Sequence, residues 1–303
     1  MLYKGLGSTK SNDVNYGKKT EKIVEKAFFK EVHYFKIEDF VQRVELQSKQ
    51  LDITNNIFFE FLTPRGNLSS EQENYNYSAE SGKMNQKTEI MKLKGDVRIS
   101  GESSDFAAGE FLYNGRSKMM YGKGKVAAQV VDSKTLDIIK VKASEFSSNL
   151  RTQILEMSGN VKGELIRQRA YEGGLKFESE ELTLNSLESH LKMYKSVKIY
   201  RNNYYLQSQN AEIFLENFNK KLKYYELYDD VKLEEKLSGG LSGEQLRRAY
   251  AEKLEGHQRT GKIILTGAPR VEQGEDIIKG YQITLRENVE LVEVDDSQSN
   301  FSL

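Results

Sequence analysis

The chain has no cysteine, no tryptophan and only two prolines in 303 residues. Without thiols, disulfides, cysteine nucleophiles and thiolate metal sites are all excluded. Pro64 and Pro269 both stand beside turn-forming residues, so strands can run on with few breaks. Net charge is missing too: 45 Lys+Arg balance 45 Asp+Glu, and no field draws nucleic acid or an anionic bilayer. No apolar run approaches the ~20 residues that cross a bilayer as a helix. The opening stretch, MLYKGLGSTKSNDVNYGKKTEK, lacks the apolar segment of a signal peptide. Apolar residues make up 38% against 30% charged, which predicts a thin body with much solvated surface.

Short alternating runs are what the chain has in abundance. Residues 1–30 read as a flexible leader, in which Ile23, Val24, Ala27 and Phe28 have near-helical spacing and allow a short helix. From Val32 the pattern becomes strand-like: VHYFKI, FVQRVELQS, NNIFFEFL. A repeat then runs down the chain, a small residue leading to a Val in a Gly/Asp/Asn context. Ala79 leads to Val97, Ala108 to Val126, Ala143 to Val161 and Ser179 to Val197, each over 18 residues. Ala211 leads to Val231 and Ala251 to Val271, each over 20. Within a unit, apolar residues alternate, as in Leu191, Met193, Val197 and Ile199, so one sheet face is greasy and the other polar. A hairpin cannot bury such a face alone, and neighbours must stack. One counter-signal is Leu246, Tyr250 and Leu254 at helical spacing, which allows a short helix near 243–250.

Chemistry is hard to place. His33, His190 and His257 lie far apart with no metal-binding spacing, and ordinary surface or half-buried roles explain them. GHQRTGKI comes close to a phosphate-binding loop, but Ile263 replaces the hydroxyl and KIILTG reads as a strand, so a turn between strands is expected. GLSGE (240–244) misses the nucleophile-elbow spacing by one residue. Glu178, Glu180 and Glu181 fit a solvated strand face, and the tyrosines around 204–205 and 224–228 fit strand packing. No catalytic residue, metal site or cofactor is expected.

Residues 260–285, TGKIILTGAPRVEQGEDIIKGYQITL, resemble the signature of the LptA/OstA proteins of lipopolysaccharide transport. Thr266, Gly267, Pro269, Val271, Gln273, Gly274, Ile278, Gly280 and Ile283 carry that likeness. The front half resembles a second member of the same system, LptC. Here EVHYFKIEDFVQRVELQSKQLDI, FFEFLTPRGNLSSEQ, SGKMNQKTEIMKLKGDVRI and AAGEFLYNGRSKMMYGKGKV stand for its paired strands. The resemblance implies an all-β chain, an elongated open β-jellyroll in which two antiparallel sheets fold like a V. The expected order is a leader (1–30), an LptC-like module (31–150), an LptA-like module (151–296) and a disordered tail (297–303).

The function so implied is a periplasmic bridge without enzymatic activity, shielding the acyl chains of lipopolysaccharide between inner and outer membranes. Anchoring to the inner membrane would fall to a segment outside this sequence. Inward alternators expected to line the groove are Ile99, Phe111, Phe146, Leu175, Phe177, Leu184, Met193, Ile199, Leu206, Ile213, Leu215 and Leu265. For each, plain core packing is the competing role. The N-terminal edge, about Val32 to Leu46, is expected to face an inner-membrane transporter. The C-terminal edge, about Ile277 to Val294, is expected to meet another bridge unit or the outer-membrane translocon. The rival reading is a closed β-solenoid, a structural or adhesion module without a lipid. A carbohydrate enzyme and a nucleic-acid binder fit less well.

Overall fold

The computed structural model describes residues 25–38, 41–69, 74–131, 136–168, 174–201, 203–216, 222–237, 245–286, 289–295 and 298–300. These form 22 strands, with no helix among the described residues. The first nine are β1 (Lys26–Glu38), β2 (Val41–Thr54), β3 (Phe58–Leu62), β4 (Arg65–Ser69), β5 (Asn74–Ser78), β6 (Ser81–Asn85), β7 (Ile90–Ser100), β8 (Ser104–Asn114) and β9 (Met119–Val131). Next come β10 (Ile138–Asn149), β11 (Ile154–Ile166), β12 (Leu175–Asn185), β13 (His190–Arg201), β14 (Tyr204–Leu215), β15 (Leu222–Leu237) and β16 (Gln245–His257). The chain ends with β17 (Lys262–Thr266), β18 (Arg270–Gln273), β19 (Asp276–Lys279), β20 (Gln282–Arg286), β21 (Val289–Asp295) and β22 (Gln298–Asn300). Two compact units divide at Val126/Ala127.

The sequence repeat is a bend built into the long strands. Two consecutive residues with left-handed φ precede five of the six repeated valines: Gly95–Asp96 before Val97, Gly124–Lys125 before Val126, and Gly159–Asn160 before Val161. Lys195–Ser196 and Asp229–Asp230 do the same before Val197 and Val231. The pairing register skips at these bulges, between Lys94 and Val97 and between Tyr228 and Val231. Such a bulge kinks the strand and turns each half onto a different leaf. At Gly95 the need for glycine is double: its φ is +79°, and any Cβ would strike the Glu80 side chain. The Glu80 N–H donates to the Gly95 carbonyl at 3.0 Å, which keeps the bend hydrogen-bonded.

The valine of one repeat pairs, at the bend, with the small residue that opens the next. Val97 pairs with Ala108, Val161 with Ser179, and Val231 with Ala251. Val161 and Val197 are fully buried there. The inside of a fold angle has room for one branched side chain only if its neighbour is small, and this accounts for a small residue opposite each of these valines.

In the first unit, one leaf holds β3, β6 and Ile90–Lys94 of β7, and the other holds β4, β5 and Val97–Ser100. β2 serves both, pairing with β3 through Gln50–Thr54 and with β4 through Val44–Gln47. In the second unit the halves of β10 to β16 divide in the same way, and beyond β16 the leaves separate completely. β17, β20 and β21 continue one leaf, while β18, β19 and β22 continue the other. Gly267 to Pro269 is where they part. The hairpin turn at Gly274, with Gln273 paired to Asp276, forms as expected.

Three local expectations change. Ala27 and Phe28 lie in strand β1, paired with β2, rather than in a helix; Ile23 and Val24 are outside the described residues. Phe28 points outward and is half exposed while Ala27 and Phe29 turn inward, which is strand alternation. The 243–250 segment is strand β16 from Gln245 onward; 243–244, with GLSGE, lies outside the described residues. Its inward set is Arg247, Ala249, Leu254 and Gly256, three of them non-hydrophobic or very small, so the period-two signal was masked. Gln298–Asn300, placed in a disordered tail by the sequence, pairs with Ile277–Lys279 as β22.

Candidate functional site

An apolar cleft opens between the leaves of the first unit, at the ends of the strands farthest from the bend. Leu68 and Ser69 of β4, with Tyr34 and Val44, form one wall. Met84 of β6, Met91 of β7 and Tyr113 of β8 form the other. The rim comes from two adjacent turns and contributes Gln86, Glu89, Gly115 and Lys118. The cleft measures about 50 Å³, enough for a few waters at ~10–15 Å³ each. An acyl chain can enter only if the leaves part. Methionine at two wall positions suits that, since its unbranched thioether adapts to changing shape.

The rim turns share one design. Asn85 and Asn114 accept hydrogen bonds on Oδ1 from backbone N–H groups inside their turns, Thr88 at 3.1 Å and Arg116 at 3.1 Å. Each turn closes on a residue with left-handed φ, Glu89 and Lys118. The Gly115 N–H donates to the Glu89 carbonyl at 2.9 Å, so the ladder continues from one turn to the next. Asn149 and Asn185 repeat the device in the second unit.

In the second unit, side-chain bonds tie the leaves together. Arg247, in one leaf, donates to the carbonyls of Arg286 (3.0 Å) and Val289 (2.9 Å) at the end of the other. Its charge is met by Glu235 at 2.5 Å, and neither side chain is exposed at all. Asn203 supports Glu235 from the β13–β14 turn. Arg201 makes a second crossing, from its leaf to Gln258 Oε1 of the other at 2.7 Å, while also donating to the Tyr204 hydroxyl. Sequence reasoning found neither latch. Arginine in a charged chain carries no burial signal, and the leaves meet only in three dimensions.

The twelve expected lining residues are interior, but none borders the open cleft. Ile99, Phe111, Phe146, Phe177, Met193, Ile199, Leu206, Ile213 and Leu265 are buried; Leu175, Leu184 and Leu215 are half-buried. Pairing joins Phe177 to Ile199 and Ile199 to Leu206 in one row on one leaf. Ile213 faces Tyr225 on the other leaf, and Leu265 lies between Leu254 and Ile283. Phe111 pairs with Leu93, Ile99 with Tyr77, and Phe146 with Met157. The Phe177 ring lies flat over Gly163, where a Cβ would come within 1.9 Å of it. Tyr225 covers Gly256 in the same way. Rings pressed onto the sheet cover backbone and do not project into the space between leaves.

The residues set aside as ordinary take ordinary places. His33 contacts Glu45 at 2.8 Å, and His190 contacts Glu212 at 2.8 Å while stacking on Phe214. Tyr224 continues that stacked row on the polar side of the sheet, followed by His257. Burial, and hydrogen bonding to Glu226, push its phenol well above the usual range. Glu178 and Glu181 pair with Lys162 and Lys195 across strands. The Lys195 partnership raises its ammonium pKa, chiefly through the hydrogen bond to Glu181. The residues after Gly256 make a turn between β16 and β17, as expected. Among the described residues, no group of three or more His, Asp or Glu side chains could hold a metal ion.

Residues 41–167 match the family described as lipopolysaccharide-assembly, LptC-related. Residues 176–290 match the LptA/(LptD N-terminal domain) LPS transport protein family. No curated protein sequence matches the chain. Among solved structures, one similar chain is LptH from Pseudomonas aeruginosa, the LptA homologous periplasmic component of the lipopolysaccharide transport device. The identity is 11% over 41% of this chain and 84% of that one, with a TM-score of 0.37. The chain is thus an LptC-like module followed by an LptA-like module. The two matches join between 167 and 176, later than the expected 150/151 and than the Val126/Ala127 division between compact units. One hairpin type runs through the join, so packing does not mark it.

Proposed function

We propose that this chain is a periplasmic bridge of the lipopolysaccharide transport system, one that holds lipid and does no chemistry. The observation that carries the reading is the cleft of the first unit, apolar on both walls and open between two leaves, within the LptC-like module. Each methylene taken from water contributes about 0.8 kcal/mol, so a chain inserted between the leaves repays their separation. Movement of the lipid would need a force supplied elsewhere.

Strand edges supply the connections. β1 pairs with β2 along its length and with no other strand among the described residues, so its far edge is open to strand addition. The expected edge of Val32 to Leu46 narrows to β1, because β2 is paired on both sides. We assign this edge to an inner-membrane transporter. β21 and β22 end the two leaves of the second unit and suit a following bridge unit or the outer-membrane translocon.

A photoreactive residue at Met84, with Lys83 as its outward neighbour, tests the reading in living cells. A lipopolysaccharide adduct at 84 and not at 83 is expected; adducts at neither, in a folded and exported protein, would overturn it. The same pair of sites at Phe177 and Lys176 tests the second unit. There the two latches between the leaves favour the second reading, a closed structural module, and absence of an adduct at 177 would assign that unit to it.

A further inference from the structure

Three cations gather on the two turns that rim the open cleft: Lys87, Arg116 and Lys118. We propose that this lip is a binding site for phosphate monoester groups on the headgroup of the lipid whose chains enter the cleft. The inference rests on the lipid-bridge reading and names the headgroup chemistry that the first unit selects.

The geometry has three parts. Lys118 is half-buried on the rim, beside Tyr113 and Met91, and makes no ion pair among the described residues. An ammonium so placed loses part of its water without gaining a carboxylate, and an incoming anion would supply the missing partner. Arg116 is exposed, and its guanidinium donates to the Lys87 carbonyl at 2.6 Å, which fixes it across the neighbouring turn. Lys87 is exposed on that turn. Among the described residues Glu89 is the only carboxylate lining the cleft, and its side chain packs against Gly115; with Lys87, Arg116 and Lys118 it leaves these four residues positive by two charges.

The backbone makes the lip rigid. Both turns are held by asparagine side chains and joined through Gly115 to Glu89, so the cations need little ordering when a ligand arrives. The chain's zero net charge matters as well. A neutral protein does not attract anions from a distance, so a local positive lip discriminates by contact. Apolar walls beneath a cationic rim match an amphiphile with greasy chains and a phosphorylated head, and match neither half alone.

The test measures equilibrium binding of the intact chain to three probes: diphosphorylated lipid A, the same lipid A with both phosphates removed, and inorganic phosphate. Wild-type protein is expected to bind the diphosphorylated form about tenfold more tightly than the dephosphorylated one, roughly the gain of one charge-assisted contact. Lys118→Glu should abolish the preference for the diphosphorylated lipid, and Lys118→Ala should reduce it. Thermal melting of both variants checks that they fold. Equal binding of the two lipids by wild-type protein would overturn the headgroup site and leave the bridge reading standing. Binding of neither lipid would overturn both. Inorganic phosphate binding as tightly as the lipid would also overturn the proposal, since the site would then serve a free anion.

Discussion

Arg247 donates to Glu235 at 2.5 Å in a pair withdrawn wholly from water, and the same guanidinium holds two carbonyls of the opposite leaf. A buried ion pair is weak evidence for stability, because desolvation offsets the attraction. What this one supplies is a connection between leaves that apolar packing alone would leave free to slide.

Arg247→Ala leaves Glu235 buried without its cation and frees two carbonyls. Unfolding stability should fall by about 3–5 kcal/mol, measured by urea denaturation. Replacing both partners, Glu235→Leu with Arg247→Met, should recover part of that loss. Full recovery would mean that the bonds to residues 286 and 289 contribute nothing.

Arg201→Met removes the second crossing, to Gln258, and keeps the side-chain volume. Amide exchange in the turn at 258–261 should quicken several-fold while the β13–β14 pairing stays protected. Unchanged exchange in that turn would show that Arg201 does not hold the leaves together.

Tyr77 donates its hydroxyl to the Glu45 carbonyl at 2.9 Å across Gly66. Burial, and to a lesser degree the nearby Glu45 charge, raise its phenol well above the usual tyrosine range. A folded-state pKa above the unfolded one means stability is fully present below pH ~10 and is lost as pH rises beyond it. Wild-type denaturation midpoints should therefore drop between pH 10 and 12 more steeply than those of Tyr77→Phe. Parallel curves would refute the assignment.

Gly163→Val puts a side chain where the Phe177 ring lies. The expected cost is about 1–3 kcal/mol from overpacking. A double-mutant cycle with Phe177→Ala should show strong coupling, because the smaller residue vacates the space. Additive effects would mean the ring is free to move aside.

Much of the architecture was legible along the chain. Alternation in β7, β12 and β13 marked their inward faces, since the period of two is a local property of a strand. The Ala/Ser-to-Val spacing recorded the bend, because a left-handed bulge and a tight inner corner each restrict which residues can stand there. Pro269 and Gly267 marked the parting of the leaves for the same reason. β16 was less legible because its inward positions carry Arg247, Ala249 and Gly256, whose burial has no hydrophobic signature.

The sequence by itself determined the strands, their faces and the positions of the bends, all set by steric and solvation preferences of nearby residues. Tertiary structure alone decided where the space between leaves stays open. Tyr34, Leu68, Met91 and Lys118 come together through pairings between distant strands, and Arg201 and Arg247 reach their partners only across the fold. Such meetings depend on where whole strands are carried by the bends, and no local preference of any one residue encodes them.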